Sequence, residues 1–487
     1  MSGKVSALHV SAALAVLLLL IIGAGFYTIY QKLGSLESQV AEISENYERV
    51  SSDIEAIKSE IRESQEGVES INDSIESLSR RVGEIESKLG DVASLEDLER
   101  ILQDVAEISA AIETLGERIA ELEEAASGEE EQIQGLVTQL EELRSKLEQL
   151  GQRVDQLYES LFFPATIVDG TGQTVIVSER PERVVSLAPS VTEALYYINA
   201  LDMLVGVDDY SDFPPEVVEA REAGTIASIG GFWNPSIEAI LELEPDLVIG
   251  VTSVPSHLQV KEVLEAYGIP VLLLPNNSLS DVRESLIMLG KATGKVSEAY
   301  TTALKFDMAL AALGIVIGGG EPLDVAVVVW PNPLFVVGGG NWEDEIIAKA
   351  GGVNVYGDIP GWPQVSYESL VERNPDIIII MSGAGVTVED FIAALESQLG
   401  DAAYEITAVR EGRVYVLQGA YNDSFARPSP RTALSAYVLA AIISPEAFGL
   451  DQSDIPEVVS PDTLDVIELI RGFVDEEIVE FLGEALG

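Results

Sequence analysis

Apolar and polar positions alternate in three different ways along this chain of 487 residues. From residue 5 to residue 30 nearly every position is apolar, with the core A-A-L-A-V-L-L-L-L-I-I-G-A-G-F starting at Ala12. About 20 residues at 1.5 Å each span the hydrocarbon of a bilayer, so this run predicts a transmembrane anchor over residues 1–30. A signal peptide cleaved near Gly23-Ala24-Gly25 is the alternative. Lys4 is the one charge before the run; it favours an inside N-terminus, with the rest of the chain outside.

From Leu33 the apolar residues fall at steps of three and four. One seam carries Leu33, Val40, Tyr47, Ile54, Ile61, Val68, Ile75, Val82 and Leu89; the other carries Leu36, Ile43, Val50, Ile57, Ser64, Ile71, Leu78, Ile85 and Val92. A heptad sustained this far predicts a coiled-coil stalk over residues 31–162. Consecutive steps of three at Val92-Leu95-Leu98 and Leu102-Val105-Ile108 are stammers. One straight helix over this stretch would be roughly 190 Å long. Its stripe needs partner helices to stay dry, and parallel self-association into a homo-oligomer is the simplest source. An antiparallel hairpin within one chain, turning near Gly90 or Gly128, is the rival.

After Phe163-Pro164 short β-rich runs alternate with helical stretches. The strand runs are 184–188, 205–207, 247–251, 271–274, 325–330, 377–381 and 414–417. This alternation predicts α/β lobes with largely parallel sheets. Ser190 with Glu193 reads as a capping box after the first of them. Two stretches are near copies 130 positions apart. S-I-E-A-I-L-E-L-E-P-D-L-V-I-G from Ser236 aligns without a gap on S-Y-E-S-L-V-E-R-N-P-D-I-I-I-I from Ser366. Each is a short amphipathic helix, a Pro-Asp corner and a strand, preceded at the same offset by Phe232 or Trp362. A duplication implies two similar lobes, here residues 163–295 and 319–487, joined by one uninterrupted helix over 296–318. Aromatics at matching points imply a ligand held between the lobes.

Composition removes several function classes. The formal charge is −54, from 28 basic and 82 acidic residues. That excludes nucleic acid as a partner and disfavours anionic lipid surfaces. Without cysteine there is no disulfide, thiolate metal site or lipidated cysteine. Of two histidines, His9 lies in the apolar run, leaving His257 for the lobes. A metal site built on several imidazoles is therefore excluded, and Ser-His or Cys-His catalysis has no support. Gly290-Lys291 lacks the spacing of a phosphate loop, and the glycines at 338–340 open no dinucleotide fingerprint. No enzymatic activity and no intrinsic cofactor are expected. Asn72, Asn276 and Asn422 match the glycosylation pattern.

The segments R-V-V-S-L-A-P-S-V-T-E-A-L at 183–195, V-G-V-D-D-Y-S-D-F-P-P at 205–215, W-N-P-S-I-E-A-I-L-E-L-E-P-D-L-V-I at 233–249, P-G-W-P-Q-V-S-Y-E-S-L at 360–370 and N-D-S-F-A-R-P-S-P-R at 422–431 occur in order. Together they resemble the helical-backbone substrate-binding proteins of ABC importers, which carry cobalamin, ferric siderophores or haem. The W-P-Q-V-S and D-x-F-x-x-R elements are most similar to the cobalamin-binding branch. The anchor, the stalk and residues 450–487 fall outside the family pattern. The resemblance implies ligand contacts from Tyr210, Phe232, Trp233, Trp330, Trp362, Asp423 and Arg427. Aromatic faces suit a flat corrinoid or porphyrin, and Asp423 and Arg427 suit its polar rim. It also implies that Glu238 and Glu368, one per lobe, seat against arginines of a two-fold permease dimer. One departure is Val251, where that branch has tryptophan. His257 is read as a solvated loop residue, or alternatively as an axial ligand to haem iron or corrinoid cobalt.

The expectation is a single-pass cell-membrane protein with extracytoplasmic lobes that captures a metal chelate, cobalamin first, for an ABC permease dimer. A structural reading stands beside it: a cell-surface spacer whose lobes serve as an interaction module.

Overall fold

A computed structural model describes residues 66–89, single positions and short runs between 101 and 152, and residues 163–487 apart from 319–320 and 382–384. The anchor and most of the stalk lie outside the described residues.

Within the heptad region, helix α1 (Glu66–Leu89) buries the predicted seam residues Ile75, Leu78, Val82 and Ile85. Ile101, Val105, Ile108 and Ile112 are buried as well. Arg81 Nη2 lies 3.1 Å from Glu107 Oε2. A straight helix would set positions 26 apart about 39 Å from each other, so the chain reverses between them. Among the described residues, that contact fits the hairpin alternative better than one uninterrupted helix. The heptad stripe fixes which face must be covered, but says nothing of the direction of the covering helix.

The lobes open with a hairpin of β1 (Ala165–Val168) and β2 (Thr174–Val177). The first sheet contains β3 (Val184–Ser186), β4 (Leu204–Val207), β5 (Ala227–Ser228), β8 (Leu247–Val251) and β9 (Val271–Leu274) in the order β5-β4-β3-β8-β9. All its pairings are parallel. Between them β6 (Gly230–Gly231) and β7 (Asn234–Pro235) form a two-stranded turn. The helices are α2 (Pro189–Tyr197), α3 (Pro215–Glu222), α4 (Ile237–Glu242), α5 (Pro255–Ala266) and α6 (Leu279–Thr293).

The second sheet repeats the plan. Its strands are β10 (Leu323–Trp330), β11 (Phe335–Val336), β12 (Gly352–Asn354), β13 (Ile377–Met381), β14 (Val414–Leu417) and β15 (Val458–Val459). They run β11-β10-β13-β14-β15, with β12 also parallel to β10. Thus β12, β10, β13 and β14 match β4, β3, β8 and β9 in order. Helices α8 (Trp342–Lys349), α9 (Glu368–Arg373), α10 (Val388–Leu399), α11 (Ala420–Ala426), α12 (Thr432–Ile443) and α13 (Glu476–Glu484) surround it. All seven predicted strand runs are present. Residues 450–487 are integral to the second lobe: β15 extends its sheet, and Ile478, Phe481 and Leu482 join its core.

The duplicated motif has a physical reason at each shared position. Glu244 and Asn374 both adopt φ of 45°, a left-handed turn that ends the helical segment just ahead of the proline. The aspartate after each proline then clamps the start of a neighbouring strand. Asp246 accepts from the backbone N–H of Arg183 and donates its own N–H to the Arg183 carbonyl. Asp376 does the same with Asp324. Side-chain capping is not shared. Ser236 caps α4 through the N–H of Ala239, whereas α9 has no such bond.

The lobes are joined by α7 (Val296–Ile317), about 33 Å long. It is long and apolar enough to cross a membrane, yet Phe306, Ala309 and Leu313 are buried in the core of the lobes. It is the backbone helix that the sequence predicts. Asn276 and Asn422 are both buried, which removes them as exposed glycosylation acceptors.

Candidate functional site

In parallel sheets the loops after the strands' carboxyl ends gather on one side, and ligands bind there. The predicted site residues sit in these positions. Tyr210 follows β4, and Phe232 and Trp233 form the turn between β6 and β7. Trp330 ends β10, Trp362 lies in the loop after β12, and Asp423 and Arg427 follow β14. Tyr210, Trp233, Trp330 and Trp362 expose between 37% and 65% of their surface. Exposure alone does not single them out, since Tyr267 and Phe473 are as open elsewhere; what these four share is their place at strand ends or in the loops after the strands.

Each lobe holds its aromatics by polar contacts beneath them. In the first lobe Asp208, buried after β4, accepts from the N–H of Tyr210 at 2.9 Å and the hydroxyl of Ser211 at 2.6 Å. Burial pushes the Asp208 carboxyl up, against the pull of these bonds. The Phe232 and Trp233 rings meet edge to face at 4.7 Å. His257 braces them from below. Its Nδ1 accepts from the N–H of Val251 at 3.2 Å, so Nε2 carries the proton and donates to the Phe232 carbonyl at 3.0 Å.

This corrects both readings of His257. It is fully buried, in the first turn of α5, with both ring nitrogens engaged. It is neither a solvated loop residue nor free to ligate a metal. Burial lowers its pKa to about 4, against the two backbone hydrogen bonds. The sign follows: between about pH 6.5 and 4 the unfolded chain takes up a proton that the folded lobe refuses. Stability present above pH 6.5 is therefore lost as pH falls through this window, by about 3 kcal/mol. Titration of the His257 ring by NMR should show no change from pH 7.5 to 5; a midpoint near 6.5 would contradict the buried strut.

In the second lobe three successive residues support the Trp362 loop. Asn341 Nδ2 donates to the Gly361 carbonyl at 3.2 Å. The Trp342 ring lies 5.4 Å from that of Trp362, and its indole N–H donates to the Phe425 carbonyl at 2.9 Å. Glu343 accepts the Trp362 indole N–H at 2.8 Å. Burial pushes the Glu343 carboxyl well above the usual carboxylate range, against the pull of this bond. The glycines at 338–340 have their explanation here. Gly338 and Gly339 exchange backbone hydrogen bonds with Gly361 and Ile359. A Cβ on either would collide with the carbonyl of Ile359 or of Gly357, so only glycine admits the loop this closely.

Asp423 and Arg427 are not equivalent. Asp423 is one-third exposed. Arg427 is mostly buried and already engaged across the lobe junction. It forms a bidentate pair with Asp212 at 2.5 and 3.2 Å and reaches Glu193 Oε1 at 3.1 Å. Burial works against its charge, but the Asp212 hydrogen bond and the carboxylates of Glu193, Asp212 and Asp423 outweigh that and raise its pKa.

Glu193 is the second correction. Helix α2 is capped at Ala188 with no side-chain bond, so Ser190 and Glu193 form no capping box. Glu193 is fully buried and instead accepts from Arg431 at 2.9 Å and from the Ser429 hydroxyl at 2.5 Å. The Arg431 guanidinium also lies 3.9 Å over the Phe213 ring and donates to the Ala485 carbonyl. Glu193, Asp212 and Phe213 from one lobe thus meet Arg427, Ser429 and Arg431 from the other. A cavity of about 10 Å³ beside Pro428 and Pro430 leaves room for about one water in this junction.

Glu238 and Glu368 are both exposed, each in the first turn of its helix. The N–H of Glu368 itself and the Ser366 hydroxyl hold the Glu368 carboxyl below the usual range.

The comparisons with known proteins agree with this plan. A family model described as "Periplasmic binding protein" matches residues 184–421. An uncharacterized ABC transporter substrate-binding lipoprotein of Bacillus subtilis is 30% identical over 292 residues, covering 59% of this chain and 87% of that protein. The chain belongs to the periplasmic binding protein family. A vitamin B12-binding protein of Vibrio parahaemolyticus is 28% identical over 279 residues, covering 57% of this chain and 91% of its own. Among solved structures, Helicobacter pylori CeuE with Ni(II) bound superposes with a TM-score of 0.50 at 22% identity, over 65% of this chain and 99% of that one; this likeness speaks to the fold.

Sequence reasoning missed Asp212, Asn341, Trp342 and Glu343. Their signal was present as neighbours of named residues, S-D-F next to Tyr210 and N-W-E next to the three glycines. What they touch depends on partners distant in sequence.

Proposed function

We propose that this chain is the membrane-tethered, extracytoplasmic substrate-binding protein of an ABC importer, capturing a flat metal chelate between its lobes. A corrinoid is the favoured ligand, with ferric siderophores and haem as alternatives. The observation that carries this reading is the placement of exposed aromatics and polar side chains in loops after the strand carboxyl ends of both lobes. Kinship with a vitamin B12-binding protein supports the choice of corrinoid. The Bacillus relative is named as a lipoprotein. This chain has no cysteine to carry a lipid, and the apolar run at residues 5–30 takes that role. The heptad region carries the lobes away from the bilayer. Glu238 and Glu368 meet basic residues of the permease dimer.

Calorimetric titration with cyanocobalamin, cobinamide, haemin and ferric siderophores tests the reading. Cyanocobalamin or cobinamide should bind one to one. Trp362→Ala should weaken that binding by about 2–4 kcal/mol, as loss of a buried aromatic anchor does. Tight binding of a siderophore or haemin alone would move the chain to another ligand class. No binding to any of them would return it to the structural reading.

A further inference from the structure

At the lobe junction three carboxylates face two guanidiniums. Arg427 has Asp212 at 2.5 Å, Glu193 at 3.1 Å and Asp423 at 3.9 Å; Arg431 has Glu193 at 2.9 Å. The cluster carries a net negative charge before any ligand arrives. Arg431 is only 2% exposed and is out of a ligand's reach. Arg221, the cation beside the Tyr210 loop, is turned onto the backbone carbonyls of Asp208 and Asp209. Arg427 is the cation that the sequence offers to the ligand's rim, and Asp212 occupies both prongs of its fork. Bidentate guanidinium–carboxylate pairing is the strong form of this contact. A ligand carboxylate would have to displace Asp212 and then sit among like charges, whereas a neutral amide can donate to the partly exposed Asp423 and leave the pair intact.

We propose that Asp212 is a specificity-determining residue: by occupying Arg427 it makes the site select chelates with an uncharged, amide-bearing rim and reject those with a carboxylate rim. The proposal rests on the reading that this site holds a metal chelate. Asp212 acts through Arg427 and is thus a positioning residue. It comes from the first lobe, two residues after Tyr210, so it also ties ligand selection to the relative placement of the two lobes.

The test uses the full chain in detergent, titrated with cyanocobalamin, whose rim bears amides, and with haemin, whose edge bears two carboxylates. The readout is the ratio of the two dissociation constants. In the native chain haemin should bind at least ~100-fold more weakly, since like charges across an interface cost several kcal/mol. Asp212→Asn keeps the shape and removes the charge; the ratio should fall at least ~10-fold, with the gain in haemin affinity fading at high salt. Asp212→Glu should restore the native ratio, which a merely structural role for the residue would not require. Arg427 keeps Glu193 in the asparagine variant, and an unchanged denaturation midpoint would show that the lobes still fold together. Should the asparagine variant unfold, Asp423→Asn, which removes a more distant charge, should lower the ratio in the same direction. Equal affinities in the native chain, or a ratio indifferent to the loss of charge at Asp212, would overturn the proposal. Failure of every form to bind either probe would overturn the reading of the site itself, and the proposal with it.

Discussion

Glu193→Ala is expected to destabilise the lobes by about 3–5 kcal/mol, the usual cost of removing one partner from a buried ion pair. Glu193 is fully buried, and its carboxylate accepts from Arg427, Arg431 and Ser429. Its removal strands the Arg431 guanidinium, which is 2% exposed. Arg431 would keep the Ala485 carbonyl and the Phe213 ring, but neither carries a compensating charge. The three donors come from the far lobe, so the loss loosens the junction as well as the core. Pairing the change with the removal of the stranded charge, as in Glu193→Leu with Arg431→Met, should cost less than the single substitution, since well-packed apolar replacements of buried ion pairs are often tolerated. Urea denaturation of the three proteins decides the matter. A single variant with the native midpoint would show that the junction contributes nothing to stability.

The second large effect concerns delivery. Reversing both Glu238 and Glu368 to lysine should abolish ligand-stimulated transport while leaving ligand affinity nearly unchanged. The two carboxylates are exposed and occupy equivalent places in the duplicated motif, just after the Phe232 and Trp362 loops. A two-fold permease can meet both at once, and like charges placed across such an interface cost several kcal/mol. Each single reversal should leave partial activity, because the other lobe still docks. Transport and permease ATPase assays in reconstituted vesicles measure this. Full activity in the double variant would place docking on another face.

The fold was legible wherever local pattern and tertiary demand coincide. Apolar runs such as I-I-I-I-M at 377–381 are buried on both faces and left no choice but a central strand. The Pro-Asp corner was legible as a duplicated break, though not as a clamp on the neighbouring strand. Positions decided by distant partners were illegible. Ser190 and Glu193 have the spacing of a cap, yet Glu193 answers to arginines 234 and 238 positions away. His257 looked like a loop residue because T-S-V-P-S-H resembles a turn. Pro255 in fact opens α5, and helix-opening proline was the signal available. In the heptad region the pattern marked the face that α1 buries, but among the described residues the Arg81–Glu107 contact is what bears on the direction of the chain. The candidate aromatics were found by resemblance and by the repeat. Their supports, Asp208, His257, Trp342 and Glu343, come from elements adjacent in space.

On the proposed function, one ligand is held at the strand carboxyl ends of both lobes. Hydrogen exchange of the full chain, with and without saturating corrinoid, tests it most directly. Slowed exchange is expected in both lobes together, at residues 208–213 and 230–234 in the first and at 359–364 and 419–427 in the second. Protection confined to one lobe, or found only away from these loops while the ligand is bound, would contradict it.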